Sequence, residues 1–79
     1  MKEATKLPRL SGKEVIKALS KAGFQMIRQR GSHVFMVKIN PETGKIGLSV
    51  PNHKEVDKGT LGEIIRQAKL TREEFMKFL

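Results

Sequence analysis

His33 is the residue of this chain best placed to carry acid–base chemistry. It follows Gly31 and Ser32, which suit a tight turn because glycine adopts positive φ and serine bonds locally. Arg28 and Arg30 precede that turn. An imidazole titrates near neutral pH and can take or give a proton, and guanidinium groups bind phosphate well. The pattern suggests proton transfer beside a phosphate, although an ordinary strand residue after a hairpin turn would look the same.

Other kinds of catalytic site find little support in the sequence. His33 and His53 are the only histidines, cysteine is absent, and no acidic pair accompanies either histidine at a ligand spacing, so we expect no metal. Ser32 adjoins His33, and neighbouring strand residues point to opposite faces, which argues against a Ser–His–Asp triad. No Walker-type loop is present, and we expect no cofactor. His53 is interpreted as a turn residue or an accessory phosphate contact.

The charge of the chain indicates the kind of partner. Sixteen Lys and Arg against eight Asp and Glu give the 79 residues a formal charge of +8. Such a field favours nucleic acid first, an acidic protein second and an anionic membrane last. Lys13, Lys17 and Lys21 recur every fourth residue, either as a solvated helix face or as a basic ridge for phosphate. No apolar run approaches the roughly 20 residues of a membrane span, and residues 1–10 lack the apolar core of a signal peptide, so we expect a soluble, cytoplasmic protein.

The elements that position these residues follow from periodicity. We expect a flexible lead over residues 1–10 and a single domain over residues 11–79. Ser11 and Glu14 form a capping box before a helix over about residues 12–22. Strands are predicted over residues 24–30, 34–40 and 45–50, then a helix over 58–68 and a short helix capped by Thr71 and Glu74. Helices on one face of an antiparallel sheet make an α+β domain.

The same periodicities select a core. Phe35, Val37 and Ile39 share one face of the second strand, and we predict that this face packs against the helices. His33 has the same parity, so it is predicted on the helix-covered side, at the edge of that layer. The other predicted core residues are Leu48, Leu19, Ile16, Leu61 and Ile65. Gly59 and Gly62, early in the helix over 58–68, allow either close approach of a phosphate or close packing on the sheet.

Several short segments occur in a familiar order. They are Leu10-Ser11-Gly12-Lys13-Glu14-Val15, Ala22-Gly23-Phe24, Gln29-Arg30-Gly31-Ser32-His33, Val50-Pro51-Asn52-His53, Lys58-Gly59-Thr60-Leu61 and Ile64-Ile65-Arg66-Gln67-Ala68. Each alone is weak, but the ordered set, which spans about residues 7–75, resembles the HicA family, the small toxins of HicA–HicB toxin–antitoxin systems. The chain departs from the family pattern at Lys69-Leu70, where a glycine commonly follows the alanine, yet Thr71 can still cap the next helix.

The resemblance implies a fold like the double-stranded RNA-binding domain and a ribosome-independent ribonuclease that cuts mRNA. It places the catalytic histidine of the Gly-Ser-His turn at His33 and names the antitoxin HicB as the partner. We expect RNA or phosphate contacts from Arg28, Arg30, Gly31, Ser32, Lys13, Lys54 and Lys58. The alternative is a non-catalytic RNA-binding module of the same fold. Such a module usually opens its last helix with a lysine cluster, which Lys54 and Lys58 supply only in part.

Overall fold

The computed structural model describes residues 7–42 and 44–79. In chain order its elements are α1 (Gly12–Lys21), β1 (Gln25–Arg30), β2 (His33–Asn40), β3 (Gly44–Pro51), α2 (Lys58–Gln67) and α3 (Arg72–Met76). The three strands form one antiparallel sheet in the order β1-β2-β3. This arrangement confirms the predicted α+β order of one helix, three strands, a second helix and a short third helix. Within the described ranges, no helix is both long and apolar enough to cross a membrane.

Side-chain caps fix where each helix begins. The Ser11 hydroxyl accepts from the Glu14 amide at 3.2 Å, and the Glu14 carboxylate accepts from the Ser11 amide at 2.8 Å. Thr71 and Glu74 make the same reciprocal pair before α3. Both capping boxes predicted from the sequence are therefore confirmed. Helix α2 is capped instead by Asp57, whose carboxylate accepts from the amide of Thr60 at 2.8 Å.

The core lies between the helices and one face of the sheet. Its largest fully buried side chains are Phe75, Leu19, Met36, Leu61, Val15, Val34 and Val50. Among the predicted core residues, Leu19, Leu48, Leu61 and Ile65 are buried, and Ile16 packs against the cluster while partly exposed. The apolar stripes of α1 and α2 were thus predicted correctly, as was the inward face of β3.

The face predicted for β2 is wrong. Val34 and Met36 are 1% and 0% exposed, whereas Ile39 is 72% exposed. Phe35 and Val37 are only half-buried, and they lie on the side of the sheet away from the helices. As a consequence, His33 also lies on that outer side rather than on the helix-covered side where the sequence analysis placed it.

The register of the β2–β3 hairpin explains this reversal. Asn40 pairs with Gly44, so even-numbered residues of β2 lie opposite even-numbered residues of β3, among them Met36 opposite Leu48. Directly opposed residues share a face of the sheet. Because Leu48 faces the helices, Met36 must face them too, and the odd-numbered residues of β2 turn outward.

The N-terminal boundary of the packed domain also differs from the expected one. The first six residues of the expected lead lie outside the described residues. The following segment is packed, since Leu7 and Leu10 are buried and Leu10 forms an isolated antiparallel bridge with Val56. The Val56 amide donates to the Leu10 carbonyl at 2.7 Å. The packed domain therefore includes residues from Leu7 onward rather than from Ser11.

Close packing on the sheet does not account for the two glycines of α2. An added Cβ at Gly59 would meet the Asp57 carboxylate at 3.3 Å, and one at Gly62 would meet a guanidinium nitrogen of Arg72 at 4.0 Å. Both neighbours are side chains of the helical layer. Of the two accounts left open by the sequence, packing against the sheet is thus not observed.

Candidate active site

The helices leave one side of the sheet uncovered, and we call this side the open face. Strand β2 presents its odd-numbered residues there, from His33 at one end to Ile39 at the other. The candidate residues His33, Arg28 and Arg30 all lie on the open face, and the strands and turns described next position them there.

The β1–β2 turn holds His33 at the end of the sheet. Gly31 adopts a φ of 60°, which disfavours other residue types, even though an added Cβ would meet nothing within 4 Å. The side-chain amide of Gln29 donates to the Gly31 carbonyl at 3.1 Å, and the Asn52 amide donates to the Ser32 carbonyl at 2.6 Å. The turn is therefore tied to the end of β3, and the His33 side chain stays exposed.

A β-bulge in β1 brings the arginines to the same face. Strict alternation from the buried Phe24 would place Met26, Arg28 and Arg30 together on the helix side. The register shifts between Met26 and Arg28, so that Arg28 lies opposite Phe35 and Arg30 lies opposite His33. A bulge re-aims the side chains that follow it. Both arginines consequently share the open face with the histidine.

The two arginines are held in different ways. Arg30 is the direct cross-strand neighbour of His33, a position in which Cβ atoms lie about 4.5–5.5 Å apart. The Arg28 guanidinium carbon lies 5.0 Å from the centre of the Phe35 ring, a cation–π arrangement. The structure thus brings Arg28, Arg30, Gly31, Ser32 and His33 together, as the sequence suggested.

A basic cleft lies beside this group. It has a volume of about 330 Å³ and is lined by Ser11, Lys13, Asn52, His53 and Lys54. Pro51, which pairs with His33, directly precedes the lining residues Asn52 and His53. The cleft therefore joins Lys13 and Lys54 to the histidine end of the sheet, and it adds His53 as a second titratable group.

Gly12 makes this closeness possible, and the sequence analysis did not single it out. Its amide donates to the His53 carbonyl at 2.8 Å. An added Cβ would lie 2.5 Å from the Pro51 carbonyl oxygen and 2.6 Å from the Asn52 Cα. Backbone atoms cannot give way as a flexible side chain can. A glycine in the first turn of a helix, where most residues have better helix propensity, was the signal that could have found it.

The other predicted phosphate ligands are not all gathered here. Lys58 is the exposed first residue of α2 and does not line the cleft among the described residues. Lys17 and Lys21 line a separate cleft with Leu10 and Phe78. The lysines of α1 therefore do not form one continuous ridge toward His33, and only Lys13 reaches the histidine end. Within the described part of the chain, no three His, Cys, Asp or Glu residues form a group that could hold a metal ion.

The fold and the open face define a class of protein. It is a small basic α+β domain, ordered like a double-stranded RNA-binding domain, with an exposed histidine next to arginines on an uncovered sheet. A family model described as the HicA toxin of bacterial toxin–antitoxin systems matches residues 12–70, well over half of the chain. The chain belongs to the HicA family and is the toxin component of a toxin–antitoxin system.

Membership of the HicA family has two implications for this chain. HicA toxins are generally toxins of the ribonuclease type, and a cognate antitoxin is the implied partner. A comparison with curated proteins finds no match for this chain.

Proposed function

We propose that this toxin is an endoribonuclease that cuts mRNA without a metal, with His33 as its general base. The observation that carries the proposal is the pairing of Arg30 with His33, with Arg28 on the same face, in a chain of the HicA family. A proton acceptor and two phosphate-binding cations then lie together on a surface that a long RNA can reach. The alternative, a non-catalytic RNA-binding module, would need no titratable group among these cations.

The chemistry of RNA needs only three things from such a site. The 2′-hydroxyl of the substrate is itself the nucleophile, so the protein must take its proton, stabilise charge on the phosphorus centre and allow a proton to reach the leaving oxygen. Neutral His33 takes the 2′-hydroxyl proton as the oxygen attacks phosphorus. The bond from phosphorus to the 5′-oxygen breaks, which leaves a 2′,3′-cyclic phosphate and a 5′-hydroxyl.

Arg28 and Arg30 have the charge stabilisation as their proposed role. Guanidinium groups donate hydrogen bonds in a planar fork that matches phosphate oxygens. The stacking of Arg28 on Phe35 keeps one fork on the open face before substrate arrives, which supports preorganised binding. Gly31 and Ser32 place the backbone of the turn beside the same phosphate.

The basic cleft is proposed to hold the RNA backbone on one side of the cut. Lys13 and Lys54 line it with His53, and RNA affinity gained this way rests on charge rather than on sequence. Lys58 contributes at longer range, from the start of α2. The proton for the leaving 5′-oxygen comes from water or from His53, and the two can be told apart by substitution of His53.

The central test is the loss of His33. His33→Ala should lower the single-turnover cleavage rate of a long RNA by roughly 10²–10⁴-fold, the usual contribution of general base catalysis. RNA binding should survive, because it rests on the wider basic surface. Full activity in purified His33→Ala would overturn the proposed base.

Two controls sharpen this test. His53→Gln removes the other histidine; a loss of cleavage with retained RNA binding would assign the leaving-group proton to His53, and unchanged cleavage would assign it to water. Cleavage should continue in EDTA, and a substrate with 2′-deoxyribose at the cut site should resist. Cleavage of that deoxy substrate would rule out the 2′-hydroxyl as nucleophile. If wild-type protein binds RNA but never cuts it, the non-catalytic module is the right description.

The cognate antitoxin is proposed to inhibit by covering His33 and its basic neighbours. This step predicts that RNA cleavage stops when the complex forms. A complex that forms tightly and leaves cleavage unchanged would contradict this mode of inhibition.

A further inference from the structure

Aliphatic side chains on the open face continue from the histidine end toward the β2–β3 turn. Ile39 is 72% exposed and Ile27 is 58% exposed, although both are large and apolar. With Val37 they line a shallow groove of about 440 Å³, whose other lining residues are Gly23, Gln25 and Lys45. We call Ile27, Val37 and Ile39 the apolar strip. Contiguous exposed apolar surface with a polar border marks interaction sites.

Within the sheet, the charged side chains that border the apolar strip are positive. No strand of the sheet contains an Asp or Glu, while Arg28, Arg30 and Lys45 all project from the open face or its border. Five of the seven described carboxylates outside the sheet have other contacts, while Glu42 lies in the β2–β3 turn and Glu73 lies in α3. Glu14, Glu74 and Asp57 cap helices, while Glu55 and Glu63 pair with Arg9 and Arg66. A partner that fits this surface must therefore bring apolar side chains at its centre and carboxylates around them.

The aliphatic strip and its positive border favour one kind of binding partner over the others. RNA bases gain affinity by stacking on aromatic rings, but the strip is aliphatic, and Phe35, the ring nearest to it along β2, lies under Arg28. A second copy of the chain would bring another +8 onto a face that is already cationic. An acidic protein surface with an apolar centre satisfies both parts of the face.

We infer that the cognate antitoxin docks on the open face through the apolar strip, and that its acidic border contacts Arg28, Arg30 and Lys45. The inference rests on the proposed function for the identity of the partner and adds the surface that it uses. His33 and Ile39 are six residues apart on one strand, which is about 20 Å at roughly 3.3 Å per residue. A partner seated on the strip therefore needs to extend only one strand length to cover the histidine.

The structure offers a matched pair of variants to test this surface. Ile27 and Met26 are neighbours, and each is 58% exposed. Ile27 lines the groove of the open face, whereas Met26 pairs with the buried Met36 and so lies on the helix side. Ile27→Glu and Met26→Glu therefore make the same charge change at the same exposure on opposite faces.

Affinity for the purified cognate antitoxin is the readout, measured without RNA. Ile27→Glu and Ile39→Glu should each weaken binding by at least about 30-fold, the loss typical of a central interface residue. Met26→Glu should change it by less than about 3-fold. RNA cleavage measured without antitoxin should stay at the wild-type rate in Ile39→Glu, because this residue is far along the strand from His33.

Methyl NMR on the wild-type protein gives a second readout that needs no variant. Upon addition of antitoxin, the δ-methyl signals of Ile27 and Ile39 should shift or broaden. The signals of the isoleucines on the helical side should move little; these are Ile16, Ile46, Ile64 and Ile65.

The possible failures can be told apart. If both strip variants bind antitoxin normally and the two methyl signals do not move, the docking surface is wrong while the proposed reaction stands. If Ile39→Glu loses RNA cleavage but keeps antitoxin affinity, the strip serves RNA and the inference fails. If His33→Ala keeps full cleavage, the proposed function fails, yet the affinity data still decide the docking surface.

Discussion

Arg30 and Lys38 show, at the scale of single residues, how the sheet sorts its cations. Arg30 lies opposite His33 on the open face. Lys38 pairs with the buried Ile46, and its ammonium nitrogen lies 5.8 Å from the centre of the Phe24 ring on the helix side. Both side chains carry one positive charge, but only Arg30 lies on the face where a phosphate is proposed to bind beside the histidine.

Substitution of Arg30 and Lys38 distinguishes a local effect at the phosphate from an effect of the net charge on RNA cleavage. Arg30→Gln should lower kcat/KM for RNA cleavage by roughly 10²-fold, as expected when one charge-stabilising donor is lost. Lys38→Gln removes the same charge from the other face and should change kcat/KM by less than about 3-fold. Equal losses in the two variants would mean that Arg30 acts through the overall field and not at the phosphate.

Asp57 ties pH to the stability of α2. Hydrogen bonds from the backbone and then the side chain of Thr60 lower the pKa of the Asp57 carboxyl from its ordinary value of 3.8. A lowered pKa in the folded state stabilises the protein above the unfolded value, and this contribution disappears as the pH falls through the folded value. Asparagine also caps helices but does not titrate.

Asp57→Asn should therefore flatten the acid side of the stability profile. Between about pH 5 and about pH 2, the urea midpoint of the wild-type protein should fall more steeply than that of the variant. Parallel profiles for the two proteins, measured by circular dichroism, would show that the cap does not depend on ionised Asp57.

Strand β2 is the element for which the sequence prediction differs most from the structure, because the wrong face was predicted to be buried. Its apolar residues occupy both parities, Val34 and Met36 on one and Phe35, Val37 and Ile39 on the other, so periodicity alone does not select the inner face. The hairpin decides instead. A turn closed by Asn40 and Gly44 carries the parity of β3 into β2, and applying that parity to the sequence would have selected Met36.

Alanine substitutions on β2 measure this assignment directly. Met36→Ala should lower the free energy of unfolding by about 2–5 kcal/mol, as should Leu61→Ala in α2, because both side chains are fully buried. Phe35→Ala should cost clearly less, since its ring is half-buried on the open face. Urea denaturation compares the three variants, and a larger loss for Phe35→Ala than for Met36→Ala would contradict the observed register.

The fold order was predictable because local signals agreed with one another. Two capping boxes, a Gly-Ser turn and helical stripes that include Leu19 and Leu61 each marked an element by short-range chemistry. The face of β1 was not predictable in the same way. It depends on a bulge between Met26 and Arg28, which leaves no local signature in residue type.

Across the whole molecule, the +8 charge governs how fast partners arrive. Basic fields steer acidic partners and RNA over distances comparable with the Debye length, which is about 10 Å at 0.1 M salt. The apolar strip, by contrast, acts only after contact. Charge and aliphatic surface should therefore affect different steps of antitoxin binding.

Kinetics of antitoxin binding can separate these steps. The association rate constant should fall steeply as NaCl is raised from about 50 mM to about 500 mM, while the dissociation rate constant changes little. Ile39→Glu should instead dissociate from the antitoxin faster than the wild-type protein does, while its association rate constant should depend on salt in the same way. An association rate constant that does not change with the salt concentration would contradict electrostatic steering.

The bulge in β1 determines which single-residue deletions this strand can tolerate. Removal of Ile27 would leave Met26 opposite Met36 and Arg28 opposite Phe35 in an uninterrupted ladder, so both faces would keep their residues. Loss of a neighbour such as Gln29 would exchange faces along the strand. A single-codon deletion at Ile27 should therefore spare the arginines and His33 while removing one member of the apolar strip. Such a deletion would be a short mutational route to a toxin that keeps its proposed catalytic residues and loses part of its proposed antitoxin surface.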